Sequence, residues 1–487
     1  MYHLVNRSYG RGRSGGLRYG ANLLGQASGR GLYLAGGFAA FAMVGHVAGP
    51  EVLGRYGLAL AILAVALIAA DFGTTLTFGA RLGAIEPELR ATEFSRMLAA
   101  RLILGFGSGA ALLCLLPLLP AAIRPALALA ALLMPLTASR FLDALFQVCG
   151  RPGWSVWPSL ANAVTLLGGT AVALWLQMPE AVLSLVAVAA GIVYGTVGLA
   201  LAVRLVPARP AGLSHGWATI RSAAGVGVSN ALGSLNGRIS LMMLAAVAGA
   251  AELGQFTAGF RFFELGAAVA ITLCAPLVPV FGRAVGQPGS GSDTLRAQVR
   301  VALAVILGTA GAGAVAVCAL AEPLVRLAYG ADFAGAVPIV RIATAMSVLL
   351  IAATILFAGL VPLGRTGFAV RGSAAACATN LLGCTLLIPW DPVFGAASAA
   401  LLAEAAMLLV LLRAFWREAG PPLAASDMPM LVGPGLAVAL AWYAGPAALA
   451  PVTVPTSAVL SAALAAWLCL RRPPAGSLPL TVSEASS

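Results

Sequence analysis

Charge is scarce in this chain of 487 residues: Asp, Glu, Arg and Lys together make up 9% of it, against 60% hydrophobic residues. A soluble domain carries about 25% charged residues, so the composition excludes a solvated globule. Lysine is absent; all 29 basic residues are Arg. There are three histidines, scattered, and seven cysteines (Cys114, Cys149, Cys274, Cys318, Cys377, Cys384, Cys469) in or beside apolar runs, with no CxxC spacing. Metal and disulfide readings therefore have little support; no metal, cofactor or catalytic residue is expected, and the cysteines read as small packing residues. No loop between the apolar runs is long enough to be a domain.

Apolar runs of roughly twenty residues fill the chain, the length at which a helix rising 1.5 Å per residue crosses a ~30 Å hydrocarbon core. Backbone groups in lipid must pair internally, and the alternation of barrel strands is missing, so the expected fold is an all-α polytopic membrane protein. Fourteen spans are expected, near 22–48, 53–80, 97–118, 126–147, 156–177, 181–203, 223–248, 256–280, 298–321, 338–361, 369–390, 394–415, 430–450 and 455–470. The first follows a basic N-terminus as a signal peptide would, but it is long and continues into "GPEVLGRY", and reads as uncleaved.

The net charge of +12 is distributed by topology. Arginines crowd every second loop (Arg7, Arg11, Arg13 and Arg18; Arg81, Arg90 and Arg96; Arg204, Arg209 and Arg221; Arg283, Arg296 and Arg300), and the intervening loops hold few, such as Arg55, Arg124 and Arg326. By the positive-inside rule both termini and the 204–221 and 282–297 loops are cytoplasmic. A nucleic-acid partner would need a basic face on a soluble fold, and none is expected.

Several phrases occur twice. "ANLLGQASGR" (21–30) returns as "SNALGSLNGR" (229–238), "EVLGRY" (51–56) as "AELGQF" (251–256), and "GRPGW" (150–154) as "GRTGF" (364–368), at offsets of 208, 200 and 214 residues and in order. One match in so biased a composition is chance; three collinear ones argue for a duplicated six-span unit. Six is even, so the halves run parallel about an axis along the membrane normal, the arrangement in which transporters hold substrate between halves. The expected domains are an N-lobe (1–203, helices 1–6), a cytoplasmic linker (204–222), a C-lobe (223–415, helices 7–12) and a C-terminal pair of helices with a tail (416–487).

Three landmarks, "GPEVLGRYGLALAILAVALIAADFGTTL" (49–76), "LGQFTAGFRFFELGAAV" (253–269) and "EPLVRLAYGADFAGAVPIVRIA" (322–343), resemble the Wzx-type polysaccharide flippases. These belong to the multidrug/oligosaccharidyl-lipid/polysaccharide exporter superfamily, which also holds the MATE drug exporters and the peptidoglycan-precursor flippase. The resemblance covers the first twelve spans. It implies two six-helix lobes around a central cavity lined by helices 1, 2, 7 and 8. It also implies a bacterial inner-membrane protein that moves an undecaprenyl-pyrophosphate-linked oligosaccharide outward for O-antigen or exopolysaccharide synthesis. Partners would be the lipid-linked oligosaccharide, membrane lipids, a coupling proton or sodium ion, and polysaccharide polymerase and chain-length machinery.

Ionisable residues inside spans are costly and mark cavities or partners. Helices 1 and 7 carry Arg30 and Arg238 at matching repeat positions, helix 8 carries Arg261 and Glu264, and helix 2 carries Asp71. Arginine suits a pyrophosphate because its fork matches phosphate oxygens and its charge persists at any working pH. Arg30, Arg238 and Arg261 are the expected substrate contacts; Asp71, Glu264 and Glu404 are the candidates for ion coupling. Blander readings stand beside these: Arg30 and Arg238 snorkel to an interface, Arg261 and Glu264 neutralise each other as an i,i+3 pair, and Asp71 answers nearby arginines such as Arg81. Arg140 and Asp143 read as a structural pair, and Asn22 and Asn230 as helix caps or bridges. Rival functions are a peptidoglycan-precursor flippase, a MATE-type cation antiporter, which would want a carboxylate-dominated cavity, and a membrane glycosyltransferase or polymerase, which would want larger outer loops.

Overall fold

The computed structural model describes residues 13–137, 139, 141–207, 212–274, 276–286 and 292–422. Secondary structure there is helical throughout. In order, the α-helices are α1 (Arg13–Asp71), α2 (Thr74–Ala84), α3 (Arg90–Leu115), α4 (Arg124–Leu132), α5 (Met134–Thr137), α6 (Leu142–Val148), α7 (Val156–Trp175), α8 (Glu180–Leu205), α9 (Leu213–Ala245), α10 (Ala250–Cys274), α11 (Leu277–Gly286), α12 (Ser292–Ala319), α13 (Ala321–Tyr329), α14 (Ala336–Leu360), α15 (Gly367–Leu387) and α16 (Pro392–Ala419). Among the described residues eight helices are long and apolar enough to cross a membrane, or nine if one bent pair is a single span. The protein is a multi-pass, all-α membrane protein. A helix lies in each of the first twelve expected spans; the expected spans at 430–450 and 455–470 lie outside the described residues.

The first of the eight, Gly29–Asp71, is 43 residues long, roughly 65 Å at 1.5 Å per residue, twice the bilayer core. It holds two crossings because Gly49 breaks it: its φ of 78° leaves the helical region, and Pro50 follows. Glycine reaches that conformation without steric cost, and proline has no N–H to continue the ladder. The expected straight span at 126–147 is broken instead. Its two parts, Ala121–Leu132 and Met134–Val148, meet at 81°, with Pro135 just past the break, where a missing N–H and a ring clash interrupt the helix.

The chain divides into two compact units. One gathers Met1–Arg261, Leu324–Ile339 and Ala376–Ala403; the other gathers Phe262–Pro323, Val340–Ala375 and Glu404–Ser487. Among the described residues of the first unit, two apolar cores stand out. Ala59, Leu63, Leu112, Leu127 and Val188 centre one, and Phe78, Phe94, Met97, Phe141, Leu145 and Phe146 the other. The core of the second unit is built from Phe281, Leu295, Val299, Leu303, Ile355, Leu356 and Phe415. Glu404 is buried there, 4% exposed.

Two features of the first unit follow from the repeated phrases and from polar residues in apolar helices. Gly54 of "EVLGRY" and Gly254 of "AELGQF" meet: a Cβ on Gly54 would overlap the Ala250 carbonyl, and a Cβ on Gly254 would overlap the Pro50 carbonyl. The contact is reciprocal, 50 to 254 and 54 to 250, so the duplicated phrase forms a local two-fold crossing where only glycine allows the backbones so close. The more polar helices α9 and α15 pair through side chains: Ser240 donates to Asn380 Oδ1 (2.8 Å), Asn380 Nδ2 donates to the Asn236 carbonyl (2.9 Å) and to Asn236 Oδ1 (3.1 Å), and Cys377 donates to the Leu232 carbonyl (3.1 Å). Buried amides without such partners would be disfavoured in an apolar bundle.

Candidate functional site

The first unit encloses a cavity of about 320 Å³, within the range of small-molecule sites, ~300–1,000 Å³. Tyr33, Gly37 and Phe41 enter it from the first limb of α1, and Tyr56, Leu63 and Asp71 from the second. Arg101 of α3, Thr137 of α5, Asn162 of α7, Tyr194 of α8, Arg238 of α9 and Arg261 of α10 complete its polar lining. Three arginines thus face one carboxylate. Two of the three expected substrate contacts, Arg238 and Arg261, are here, as is one expected coupling residue, Asp71.

Arg30 is exposed and stands outside the lining. Tyr33, Gly37 and Phe41 follow it at i+3, i+7 and i+11, one face of a helix, so Arg30 continues the cavity-facing stripe of α1 one turn towards the N-terminus. Glu264 and Glu404 belong to the second unit. Arg140 and the side chains of Asn22 and Asn230 lie outside the described residues. Asp143 accepts the Tyr194 hydroxyl at 3.0 and 3.1 Å, which fixes Tyr194 against Tyr33, edge to face with ring centroids 6.1 Å apart.

Arg261 lays its guanidinium over the Phe41 ring, 3.4 Å from the centroid, and Phe41 packs on Tyr56 at 4.8 Å. A guanidinium over an aromatic face is a favourable contact in its own right.

Asp71 sits at a backbone break. Phe72 and Gly73 adopt φ of 38° and 69°, a left-handed pair that ends α1. Phenylalanine rarely takes such a φ, and strain of this kind, about 1–3 kcal/mol, persists only where the surroundings hold it. Here Thr74 Oγ1 donates to the Asp71 carbonyl (2.5 Å), Gly73 N to Asp71 Oδ2 (3.2 Å) and Thr75 Oγ1 to Asp71 Oδ1 (2.5 Å). Gly227 of α9 abuts the Phe72 carbonyl closely enough that a Cβ would stand 2.5 Å from it.

Of the nearby arginines, Arg81 lies 3.5 Å from Glu93, and Arg101, 3% exposed, ion-pairs through Nη2 with Asp71 Oδ1. Arg101 also donates to the Ala70 carbonyl (3.1 Å) and to Thr75 Oγ1 (2.5 Å), and its guanidinium lies 4.9 Å from the Phe141 ring centroid. Its Nε is buried without a hydrogen-bond partner. Sequence reasoning missed Arg101. Its signal was there, an arginine four residues inside the expected span at 97–118, but it sat close enough to the Arg-rich 81–96 loop to pass for a loop residue. Tyr33, Tyr56, Tyr194 and Asn162 carried no signal, because single polar aromatics and amides recur throughout apolar helices.

No protein-family model and no curated protein matches the sequence. Solved structures do. Over 91% of this chain and 98% of theirs, with a TM-score of 0.69 at 11% identity, the coordinates resemble "Lipid II flippase MurJ, inward closed conformation". They also resemble the inward-facing form of a multidrug resistance MATE family transporter of the MOP superfamily, TM-score 0.61 at 16% identity over 79% of this chain and 94% of that one. Its outward-facing counterpart gives 0.57 at 14% identity over 82% and 94%. At these identities the likeness is one of architecture. The chain has the fold of the MOP-superfamily transporters, seen in a lipid flippase and in drug exporters alike.

Proposed function

We propose that the protein is a flippase that carries an undecaprenyl-pyrophosphate-linked oligosaccharide from the cytoplasmic to the periplasmic leaflet of a bacterial inner membrane, by alternating access, for O-antigen or exopolysaccharide synthesis. The observation that carries this reading is the cavity's charge: Arg101, Arg238 and Arg261 against Asp71 alone. An organic cation would be repelled by that lining, and a pyrophosphate would be attracted. Sugar hydroxyls cost a few kcal/mol each in hydrocarbon without partners; Asn162, Tyr33 and Tyr194 offer amide and hydroxyl groups in the lining. The polyprenyl tail has no such need and stays in lipid. No bond is made or broken.

In this reading an N-lobe (1–203) and a C-lobe (223–415) alternate in opening about a cytoplasmic linker (204–222), and Arg30 receives the head group one turn before Arg238 and Arg261 hold it. A membrane potential negative inside assists export by about 2.3 kcal/mol per negative charge per 100 mV. Asp71, Glu264 and Glu404 are the carboxylates through which protons or sodium would bias the cycle. Polymerase and chain-length proteins would take up the delivered unit. A peptidoglycan-precursor flippase is the second reading, favoured by the fold shared with the MurJ structure; its substrate would also be a pyrophosphate-linked sugar lipid.

Gene deletion with analysis of lipid-linked sugars separates these. A polysaccharide flippase leaves a complete repeat unit on its lipid at the cytoplasmic face with peptidoglycan synthesis intact, whereas accumulation of peptidoglycan precursor supports the second reading. Reconstituted vesicles that export a cationic dye and flip no lipid-linked sugar would overturn both.

A further inference from the structure

The Asp71–Arg101 pair is buried in the cavity wall, and a static structural bridge does not account for all of its features. Arg101 is the most buried of the cavity's three arginines, 3% exposed, and its Nε has no partner. Asp71, by contrast, is 21% exposed and faces the cavity beside Arg238 and Arg261. It is held by two threonine hydroxyls' worth of local contacts at a strained break, through Thr74 to its carbonyl and Thr75 to its carboxylate. One partner of the pair is therefore anchored in the wall. The other is the last residue of α1 and lines the cavity.

We propose that Asp71 is a built-in surrogate for the substrate's phosphate: it neutralises Arg101 until an anion enters, then cedes Arg101 to that anion. The inference rests on the anionic-substrate reading above and adds a third phosphate-binding arginine, masked by Asp71, to the two others that line the cavity. A buried guanidinium must keep a counter-charge at all times, because stripping one partner from a buried pair is strongly destabilising. Asp71 supplies that charge in the unliganded protein. A phosphate oxygen supplies it in the loaded protein. Thr75, which accepts from Arg101 and donates to Asp71 at 2.5 Å each, bridges the two and holds the mask in place. The exchange would also keep affinity moderate, as a carrier requires, since each binding event must first separate an ion pair.

Binding of inorganic pyrophosphate and, separately, of undecaprenyl pyrophosphate to the full chain in lipid nanodiscs tests this. Asp71→Asn is expected to tighten binding about tenfold or more, the scale of one charge-assisted hydrogen bond, and the added Arg101→Gln substitution to remove that gain. Tightening for both probes identifies the phosphate as the shared ligand; tightening for the lipid alone places the gain with the polyprenyl-linked form. Unchanged or weaker binding by Asp71→Asn, with Arg238→Ala still weakening the wild type, overturns the surrogate and leaves the anionic cavity standing. If Arg238→Ala and Arg261→Ala change nothing and Asp71→Asn binds neither probe, both fail. Should Asp71→Asn not fold, Thr75→Val loosens the mask without uncovering a charge, and a several-fold gain is expected; no gain overturns the proposal.

Discussion

At the scale of single residues, the cavity arginines differ in how they are held, and their substitutions should differ accordingly. Arg261 lies on the Phe41 ring, so Phe41→Leu should loosen it and reduce flipping several-fold. Phe41→Tyr should restore most of the rate, since the aromatic face is retained. If Arg238 holds the head group as proposed, Arg238→Ala removes a charge-assisted contact of about 1.5–3 kcal/mol, which corresponds to roughly 10- to 100-fold weaker head-group binding. Arg238→Lys keeps the charge without the planar fork and should rescue only in part. Arg30 stands exposed one turn outside the lining, and Arg30→Ala should cost clearly less than Arg238→Ala. Vesicle flipping assays on variants of equal abundance check all of these, and equal loss from Arg30→Ala and Arg238→Ala would show that the repeat brings both side chains to one head group.

At the scale of helices, two contacts carry the arrangement of the first unit. Gly54 and Gly254 let the second limb of α1 and the start of α10 touch backbone to backbone. Overpacking such a contact costs about 1–3 kcal/mol or more, so Gly54→Leu and Gly254→Leu should each lower the melting temperature in detergent, while Gly31→Leu, where no neighbour stands within 4 Å, should not. Asn380 is fully buried and joins α15 to α9 two residues from Arg238. Interhelical hydrogen bonds in membranes average about 0.6 kcal/mol, so Asn380→Leu should destabilise only mildly. The register of α9 should nevertheless slacken, with a larger loss in flipping than in stability.

At the scale of the whole molecule, the arginine asymmetry predicts that both termini and the 204–221 and 282–297 loops share one side of the membrane. Cysteine-accessibility labelling in intact cells should protect all four from an impermeant reagent; labelling of either loop from outside would remove the two-lobe topology. The same fold is seen in a lipid flippase and in drug exporters, and a fold by itself does not fix function, so the proposed cargo rests on the lining of the cavity and not on the bundle around it.

Composition and hydrophobic run length were enough, without coordinates, to establish a polytopic helical membrane protein, because burial of backbone in lipid leaves helices as the solution for runs of this length. The repeated phrases were legible as sequence, and two of the three pairs have a local role: "EVLGRY" and "AELGQF" meet at a glycine crossing, and "GRPGW" and "GRTGF" lie at helix boundaries. Arg238, Arg261 and Asp71 were legible as cavity candidates because charge inside an apolar run is rare and costly. Which charge meets which was not. Asp71 pairs with Arg101, thirty residues on, and not with Arg81, because the left-handed break at Phe72 and Gly73 ends the helix and α3 returns alongside it. The stack of Arg261 on Phe41 joins helices more than two hundred residues apart. Helix formation is a local matter of spacing and hydropathy, readable along the chain, whereas the partner of a buried charge is set by which helices pack together, and that only the tertiary structure decides.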